Sequence, residues 1–102
     1  MVVVSVVYPA SSRFDLDYYT RSHMKLVRER WSDMGLQEAR LLRGTYGPDG
    51  SAAPYALITL LTFGSAQQFQ AAVAKHGAEL LGDIKNFTDA QPVLQLNEPV
   101  AV

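Results

Sequence analysis

Residues 55–63 read YALITLLTF, a nearly unbroken apolar run of strand length, and such runs are typical of strands covered on both faces. Residues 2–8, VVVSVVY, have the same character and are followed by Pro9. Both runs are rich in β-branched residues, which favour extended structure. They therefore predict two strands at the centre of a sheet.

Further elements lie on either side of these two runs. A helix is expected after Pro9, with Asp15 or Asp17 at its acidic start and Gly35 at its end. In chain order, the sequence predicts this helix over residues 16–34, a strand over 36–46, a turn over 47–51, a helix over 66–81, an irregular stretch over 82–90 and a strand over 92–96.

The resulting order is β-α-β-β-α-β, the split βαβ pattern of ferredoxin-like domains. The 102 residues are enough for one domain, spanning 1–102. We expect an α+β fold with a four-stranded antiparallel sheet, in which the first and third strands are central. The charged and amide side chains of the second and fourth strands agree with edge positions.

The predicted sheet has too few helices to cover it. Two helices cover only one face of four strands, so the second face meets water with either Val2, Val4 and Val6 or Val3 and Val7. Pairing of two sheets in a twofold homodimer buries that face. The alternative is a monomer with an exposed apolar sheet.

Composition excludes several classes of function. The net charge of −1 and the pI near 6.0 argue against binding to nucleic acid. Cysteine is absent, which removes disulfides and thiolate chemistry. The apolar N-terminus has no basic flank or cleavage site, and no apolar run reaches the roughly 20 residues of a membrane span. A cytoplasmic protein without membrane or nucleic-acid partners is expected.

Both histidines of the chain are predicted to face the sheet. At about 100° per residue, His23 falls in the apolar stripe of Leu16, Val27 and Met34, and His76 falls on the inner face of the second helix. Polar groups in an otherwise apolar space are typical of a small-molecule pocket. His23 is the predicted general acid or base, and His76 a predicted ligand contact. A structural, hydrogen-bonded role is the alternative for each.

Five more side chains are candidates for the same pocket. Tyr19 lies one turn before His23 and is the second predicted catalytic residue, because its hydroxyl can polarise a substrate oxygen. Predicted substrate contacts are Tyr55 at the start of the third strand, Asn86 in the irregular stretch, Arg43 for an anionic group, and Trp31 beside the apolar stripe. Packing, turn formation and solvation are the structural alternatives.

No metal site is predicted, because the only acidic residue at helical spacing from a histidine is Glu79, three residues after His76. The sequence also has no glycine-rich phosphate loop, nucleophile elbow or acidic pair. No cofactor is therefore expected.

Seven short strings resemble the EthD family, which is named for a component of an ethyl tert-butyl ether degradation system. They are FDLDYY (14–19), HM (23–24), LV (26–27), PY (54–55), HGAE (76–79), DIKNFT (83–88) and QP (91–92). Together they span nearly the whole chain. Lys25 departs from the pattern, because related sequences commonly have proline after the His-Met pair.

The resemblance implies a dimeric α+β barrel, in which two ferredoxin-like sheets face each other and each protomer keeps a cleft between sheet and helices. The wider superfamily includes cofactor-free monooxygenases, polyketide cyclases, lactone isomerases and haem-binding enzymes, and the fold does not choose among them.

Two functions remain open from the sequence. The first is a small cofactor-free enzyme of catabolic or secondary metabolism. It would act on a small hydrophobic oxygenated substrate as an isomerase, cyclase, dehydratase or monooxygenase. The alternative is a non-catalytic binding or accessory protein for a hydrophobic metabolite, or for haem with a histidine as axial ligand. A purely structural dimerisation domain would not need the two inward histidines.

Overall fold

The computed structural model describes residues 1–102. Its elements are β1 (Val2–Pro9), α1 (Leu16–Tyr18), a π-helical segment (Tyr19–His23), α2 (Met24–Trp31), a 3₁₀ turn (Ser32–Met34), β2 (Leu36–Arg43), β3 (Tyr55–Phe63), α3 (Ala66–Gly82), a second 3₁₀ turn (Ile84–Asn86) and β4 (Val93–Asn97). This order confirms the α+β prediction. None of the helices is both long and apolar enough to cross a membrane.

The four strands form one antiparallel sheet in the order β2-β3-β1-β4. The two apolar runs are therefore its central strands, as their composition predicts. Three strands differ from the prediction at their ends, and the first of them, β1, runs one residue further to Pro9. β2 ends at Arg43, and Tyr46 makes only an isolated bridge to Ala52. β4 is shifted by one residue and runs to Asn97.

The helices cover one face of the sheet, here called the inner face. On β3 this face carries Leu57, Thr59, Leu61 and Phe63, all buried. On β1, Val4 lies opposite Leu61 and is fully buried. Edge-to-face contacts among Phe63, Trp31 and Phe69, with ring centroids 5.2–5.9 Å apart, join the sheet to α2 and α3.

The other face, here called the outer face, carries apolar side chains and no helix. Of the two sets of β1 residues predicted for this face, the structure places Val3 and Val7 there. Val7 pairs with Ile58 and Val93 in the neighbouring strands. The outer-face side chains of the central strands are half-buried by their neighbours, whereas Val93 is 62% exposed.

The predicted helix over 16–34 is helical throughout but is not a regular α-helix. The amide of Met24 donates to the carbonyl of Tyr19, five residues earlier, so one turn is π-helical. Tyr19, His23 and Met24 consequently all lie on the buried side. A helical wheel drawn at a constant 100° per residue does not allow for the additional residue in the π-helical turn. It therefore wrongly centred the stripe on Leu16 and Met34, which are only partly buried.

Two caps fix the ends of this helical run. The Asp15 carboxylate accepts a hydrogen bond from the amide of Tyr18 at 3.0 Å, which satisfies an otherwise free amide of the first turn. At the other end, Gly35 has φ of +104°, where a side chain would be strained and a Cβ would lie 2.7 Å from Gln68.

His76 is half-buried on the side of α3 that also carries the buried residues Phe69, Ala72 and Leu80. α3 packs against α2 and leaves β4 uncovered, so that Leu94 and Leu96 are 45% and 42% exposed on the inner face.

Candidate functional site

A small apolar cavity lies between the inner face of the sheet and the helices. Its volume is about 60 Å³, and eleven of its fourteen lining residues are hydrophobic. Four lining residues carry polar side-chain atoms other than the indole nitrogen of Trp31: Tyr8, Tyr19, His23 and Thr59. The cavity opens past Leu81 and Leu94, which are more than 40% exposed.

The π-helical segment and an aromatic cluster position His23. Its ring stacks on Tyr19, with a centroid distance of 5.1 Å and an angle of 29°. Phe87, which is fully buried, lies 4.8 Å from the His23 ring and 5.0 Å from the Tyr19 ring. The imidazole is therefore fixed by rings on two sides, and only 5% of the residue is exposed.

Asp83 holds one nitrogen of the imidazole. His23 Nδ1 lies 2.9 Å from Asp83 Oδ2, and the other carboxylate oxygen accepts hydrogen bonds from the Tyr18 hydroxyl at 2.7 Å and the Asn86 amide at 2.9 Å. Both oxygens of Asp83 are thus bonded, and the carboxylate has a defined orientation behind the histidine.

The segment that carries Asp83 is held against the start of the first helical run. The Asp15 amide donates to the Phe87 carbonyl at 2.7 Å, and the Thr88 hydroxyl donates to the Arg13 carbonyl at 2.7 Å. The Arg13 guanidinium donates to the Lys85 carbonyl at 2.8 Å. We call these contacts the terminal clamp, and they keep Asp83 within reach of His23 although 60 residues separate the two.

Electrostatics favour a charged Asp83 and a neutral His23. Burial raises the pKa of Asp83, but hydrogen bonds from Tyr18, Asn86 and His23 outweigh burial and leave this pKa below its ordinary value. Burial lowers the pKa of His23, and the adjacent Asp83 carboxylate only partly offsets this effect. At neutral pH the imidazole is therefore uncharged.

The tautomer of His23 follows from these two charge states. A carboxylate only accepts hydrogen bonds, so Nδ1 carries the hydrogen and Nε2 keeps a lone pair. His23 makes no hydrogen bond through Nε2. Every fully buried polar side-chain atom in the structure has a hydrogen-bond partner. Nε2 therefore retains accessible surface, and His23 lines the cavity. The arrangement presents a basic nitrogen to an apolar space.

A second polar group lies on the wall of the cavity. The Tyr19 hydroxyl and the Thr59 hydroxyl are 2.5 Å apart, and both residues are 1% exposed. One hydrogen bond uses one of their two hydrogens, which leaves the other for a further acceptor. Burial raises the pKa of Tyr19, as it does for the neighbouring Tyr8, so these hydroxyls stay protonated and can donate.

The structure brings three of the seven predicted site residues together. His23, Tyr19 and Trp31 line the cavity, although the indole N–H of Trp31 is bonded to the Ala72 carbonyl at 3.0 Å. The remaining four lie outside the cavity lining: Tyr55, Arg43, His76 and Asn86.

Each of these four side chains has a different position. Tyr55 is 44% exposed at the start of β3, where it pairs with Pro9, and it does not line the cavity. Arg43 is exposed at the end of β2 beside Phe14. His76 is half-buried on α3. Asn86 is exposed and bonded to Asp83, so it supports the carboxylate from outside.

The sequence-based prediction missed Asp83 and Thr59 as site residues. Every second residue of β3 from Leu57 to Phe63 points to the inner face. Thr59 is the only polar residue among these buried positions, since the others are Leu57, Leu61 and Phe63. That exception could have identified it. Asp83 had no comparable signal, because an aspartate in an irregular stretch is equally typical of a turn.

The cavity does not suit the cofactor considered from the sequence. Ligand pockets of ordinary size have volumes of roughly 300 Å³ or more, and a cavity of about 60 Å³ is too small for a porphyrin. No group of three histidine, cysteine, aspartate or glutamate side chains is arranged around a common point.

Comparisons with known proteins agree with this architecture. The chain is similar to an EthD-like protein from Ralstonia eutropha JMP134, with 37% identity, a TM-score of 0.90, and coverage of 98% of this chain and 92% of the other. A family protein described as ethyl tert-butyl ether D (EthD) from Bacillus halodurans C-125 has the same fold at 17% identity, with a TM-score of 0.72 and coverage of 98% and 99%. No family model and no curated protein matches the chain.

Proposed function

Since this chain belongs to the EthD-like family, we propose that it is a small cofactor-free enzyme of catabolic or secondary metabolism that moves protons on a small hydrophobic carbonyl compound. The observation that carries the proposal is the His23–Asp83 hydrogen bond, which leaves Nε2 as a base in an apolar cavity. Asp83 is a positioning residue in this scheme, because it acts through His23.

The proposed step is removal of a proton from the carbon beside a carbonyl. Nε2 of His23 takes the proton, the C–H electron pair forms a C=C bond, and the carbonyl π electrons move to oxygen. The Tyr19–Thr59 hydroxyl pair donates to the resulting enolate oxygen. Return of the proton from Nε2 to a different atom completes an isomerisation. The same enolate can begin a cyclisation or a dehydration.

We propose further that the protein works as a homodimer through its outer face. The apolar side chains of Val3, Val7, Ile58 and Leu60 lie on this face of the central strands, with only Ser5 and Thr62 as polar neighbours there. Burying such a surface contributes roughly 25 cal/mol per Å², and a second copy presents an identical apolar face. The cavity lies on the opposite side of the sheet and stays open in that assembly.

A binding protein for a hydrophobic metabolite is the second candidate, and the apolar lining of the cavity favours it. The two functions differ in what happens to the bound molecule. A carrier releases its ligand unchanged, whereas the proposed enzyme exchanges the ligand's protons with water.

The first experiment measures exchange of α-protons in D₂O by proton NMR, with butan-2-one and cyclopentanone as probes. We expect the protein to accelerate exchange over buffer and the His23→Gln variant to lose this acceleration, because glutamine is not basic. His76→Gln is the matched control and is expected to retain it. Circular dichroism checks that both variants fold. Full activity of a folded His23→Gln variant would refute the proposal.

A further inference from the structure

A second, larger cavity adjoins the first. It has a volume of about 460 Å³ and lies over the segment that connects α3 to β4. Leu81, Ile84, Pro92 and Leu94 line both cavities. The small cavity, here called the inner chamber, therefore adjoins a wider and more open cleft, here called the vestibule, and the same four apolar side chains border both.

We propose that the vestibule is a binding subsite for the uncharged, hydrogen-bonding end of an elongated substrate. The compact carbonyl end of the same substrate would occupy the inner chamber. The proposal rests on the proposed function and extends it from a reaction type to the shape and polarity of the molecule that reacts.

The volumes require a ligand that extends beyond the chamber. One water molecule takes about 30 Å³ of liquid, so a chamber of about 60 Å³ holds a group of only a few non-hydrogen atoms. Such a group offers little binding energy by itself, because small-ligand affinity rises with the number of contacting atoms. Any further contacts must come from the vestibule, which is where the chamber opens.

The polar lining of the vestibule carries both signs of charge and an amide. Lys85 makes no ion pair, and Gln91 makes no hydrogen bond within the chain. Asp89 accepts from the Ser12 hydroxyl, and hydrogen bonds from Ser12 and Ser11 lower its pKa, so it is ionised. Thr88 is fully bonded, through the Arg13 carbonyl and the Ala90 amide.

This pattern favours a neutral end group that both donates and accepts hydrogen bonds. An anionic end group is attracted to Lys85 but repelled by Asp89. A cationic end group is attracted to Asp89 but repelled by Lys85. A primary amide or a hydroxylated chain can donate to Asp89 and accept from Lys85 or Gln91 without a like-charge contact. An alkyl end offers none of the three side chains a hydrogen bond and displaces the water that hydrates them.

The test compares three methyl ketones of equal length. The probes are 6-oxoheptanamide, 6-oxoheptanoate and 7-methyloctan-2-one, which end in a primary amide, a carboxylate and an isopropyl group. Dissociation constants are measured by NMR titration of the intact protein. We expect the amide to bind about 3- to 10-fold more tightly than the other two, which corresponds to one or two net hydrogen bonds.

Two variants test whether the vestibule is the source of this preference. Gln91→Ala is expected to reduce the advantage of the amide over the alkyl probe, and Gln70→Ala on the exposed surface of α3 is the matched control. Equal binding of amide and alkyl probes would overturn the proposal. Tightest binding of the carboxylate, or no binding of any probe, would overturn it as well.

The outcomes separate this proposal from the proposed function. The binding preference is measured without reference to turnover, and it is measured again in His23→Gln. A preference for the amide together with absent α-proton exchange would refute the enzyme and support the vestibule. Exchange of α-protons in compact ketones, together with equal binding of the three long probes, would support the enzyme and refute the vestibule.

Discussion

The hydrogen bond between His23 and Asp83 determines the charge, the tautomer and the orientation of the proposed base. Its chemistry depends on two opposing influences, since burial lowers the pKa of His23 and the Asp83 carboxylate raises it. The imidazole therefore stays neutral near pH 7 and remains able to accept a proton.

A change of Asp83 to asparagine should affect activity in two ways. We expect Asp83→Asn to lower the exchange rate by about 10²- to 10⁴-fold, because the tautomer of His23 is no longer fixed. The carboxylate that raises the pKa of His23 is also lost, so the acid limb of the pH–rate profile should move to lower pH. Profiles of kcat/KM for both proteins check this expectation.

The matched control is Asp33→Asn, on the exposed 3₁₀ turn after α2. In the unchanged protein, activity should fall only below pH 6.5, because the pKa of His23 lies below that ordinary value. An acid limb above pH 6.5, or an Asp83→Asn profile shifted to higher pH, would contradict this electrostatic account.

The sequence placed His23 and Tyr19 on the buried side of their helix, where they line the cavity, because both lie on a helix with a strong apolar stripe. It could not identify Asp83, because a contact across 60 residues depends on the whole fold. His76 is half-buried but does not line the cavity, because a helical wheel describes one helix and not the surface that lies opposite it.

At the scale of elements, the π-helical segment is the feature that the apolar pattern did not predict. Single π turns are frequently found at functional sites. Here one extra residue lets Tyr19, His23 and Met24 share the buried side. The strands were predicted more accurately, because composition alone distinguishes the apolar central strands from the more polar edge strands.

Deletion of Ser22, an exposed residue of the π-helical segment, tests its role. A regular α-helix would form, and the helix on one side of the deletion would rotate by about 100°. Either Tyr19 or His23 would then leave the cavity. We expect a loss of about 3 kcal/mol in the free energy of unfolding, as for removal of a large buried side chain, together with loss of proton exchange.

Urea denaturation with Ser22→Ala as the control measures this effect, because the substitution keeps the chain length. A deletion variant as stable and active as Ser22→Ala would show that the π turn is incidental to the site.

At the scale of the whole molecule, the two faces of the sheet have separate purposes. The inner face supplies the core and the cavity, and the outer face is the surface of the proposed homodimer. Ile58 lies on the outer face and outside the core cluster. A charge at this position should therefore disrupt association without unfolding the protomer.

We expect Ile58→Glu to convert the dimer to a monomer of 11.2 kDa. Two facing glutamates would be buried without partners, at a cost of several kcal/mol. Tyr46→Glu, in an exposed loop, is the control and should remain dimeric. Analytical ultracentrifugation measures the mass, and circular dichroism reports the fold. An unchanged dimer in Ile58→Glu would place the interface elsewhere.

The terminal clamp also has a consequence for synthesis of the chain. The ribosome releases β1 and His23 long before Asp83 and Phe87, which complete the site. During that interval the apolar β1 has neither of its two partner strands, because β3 and β4 follow much later. Contacts between distant parts of a chain slow folding and leave apolar strands exposed to aggregation. β1 is therefore the segment of the nascent chain that is exposed to aggregation for the longest time.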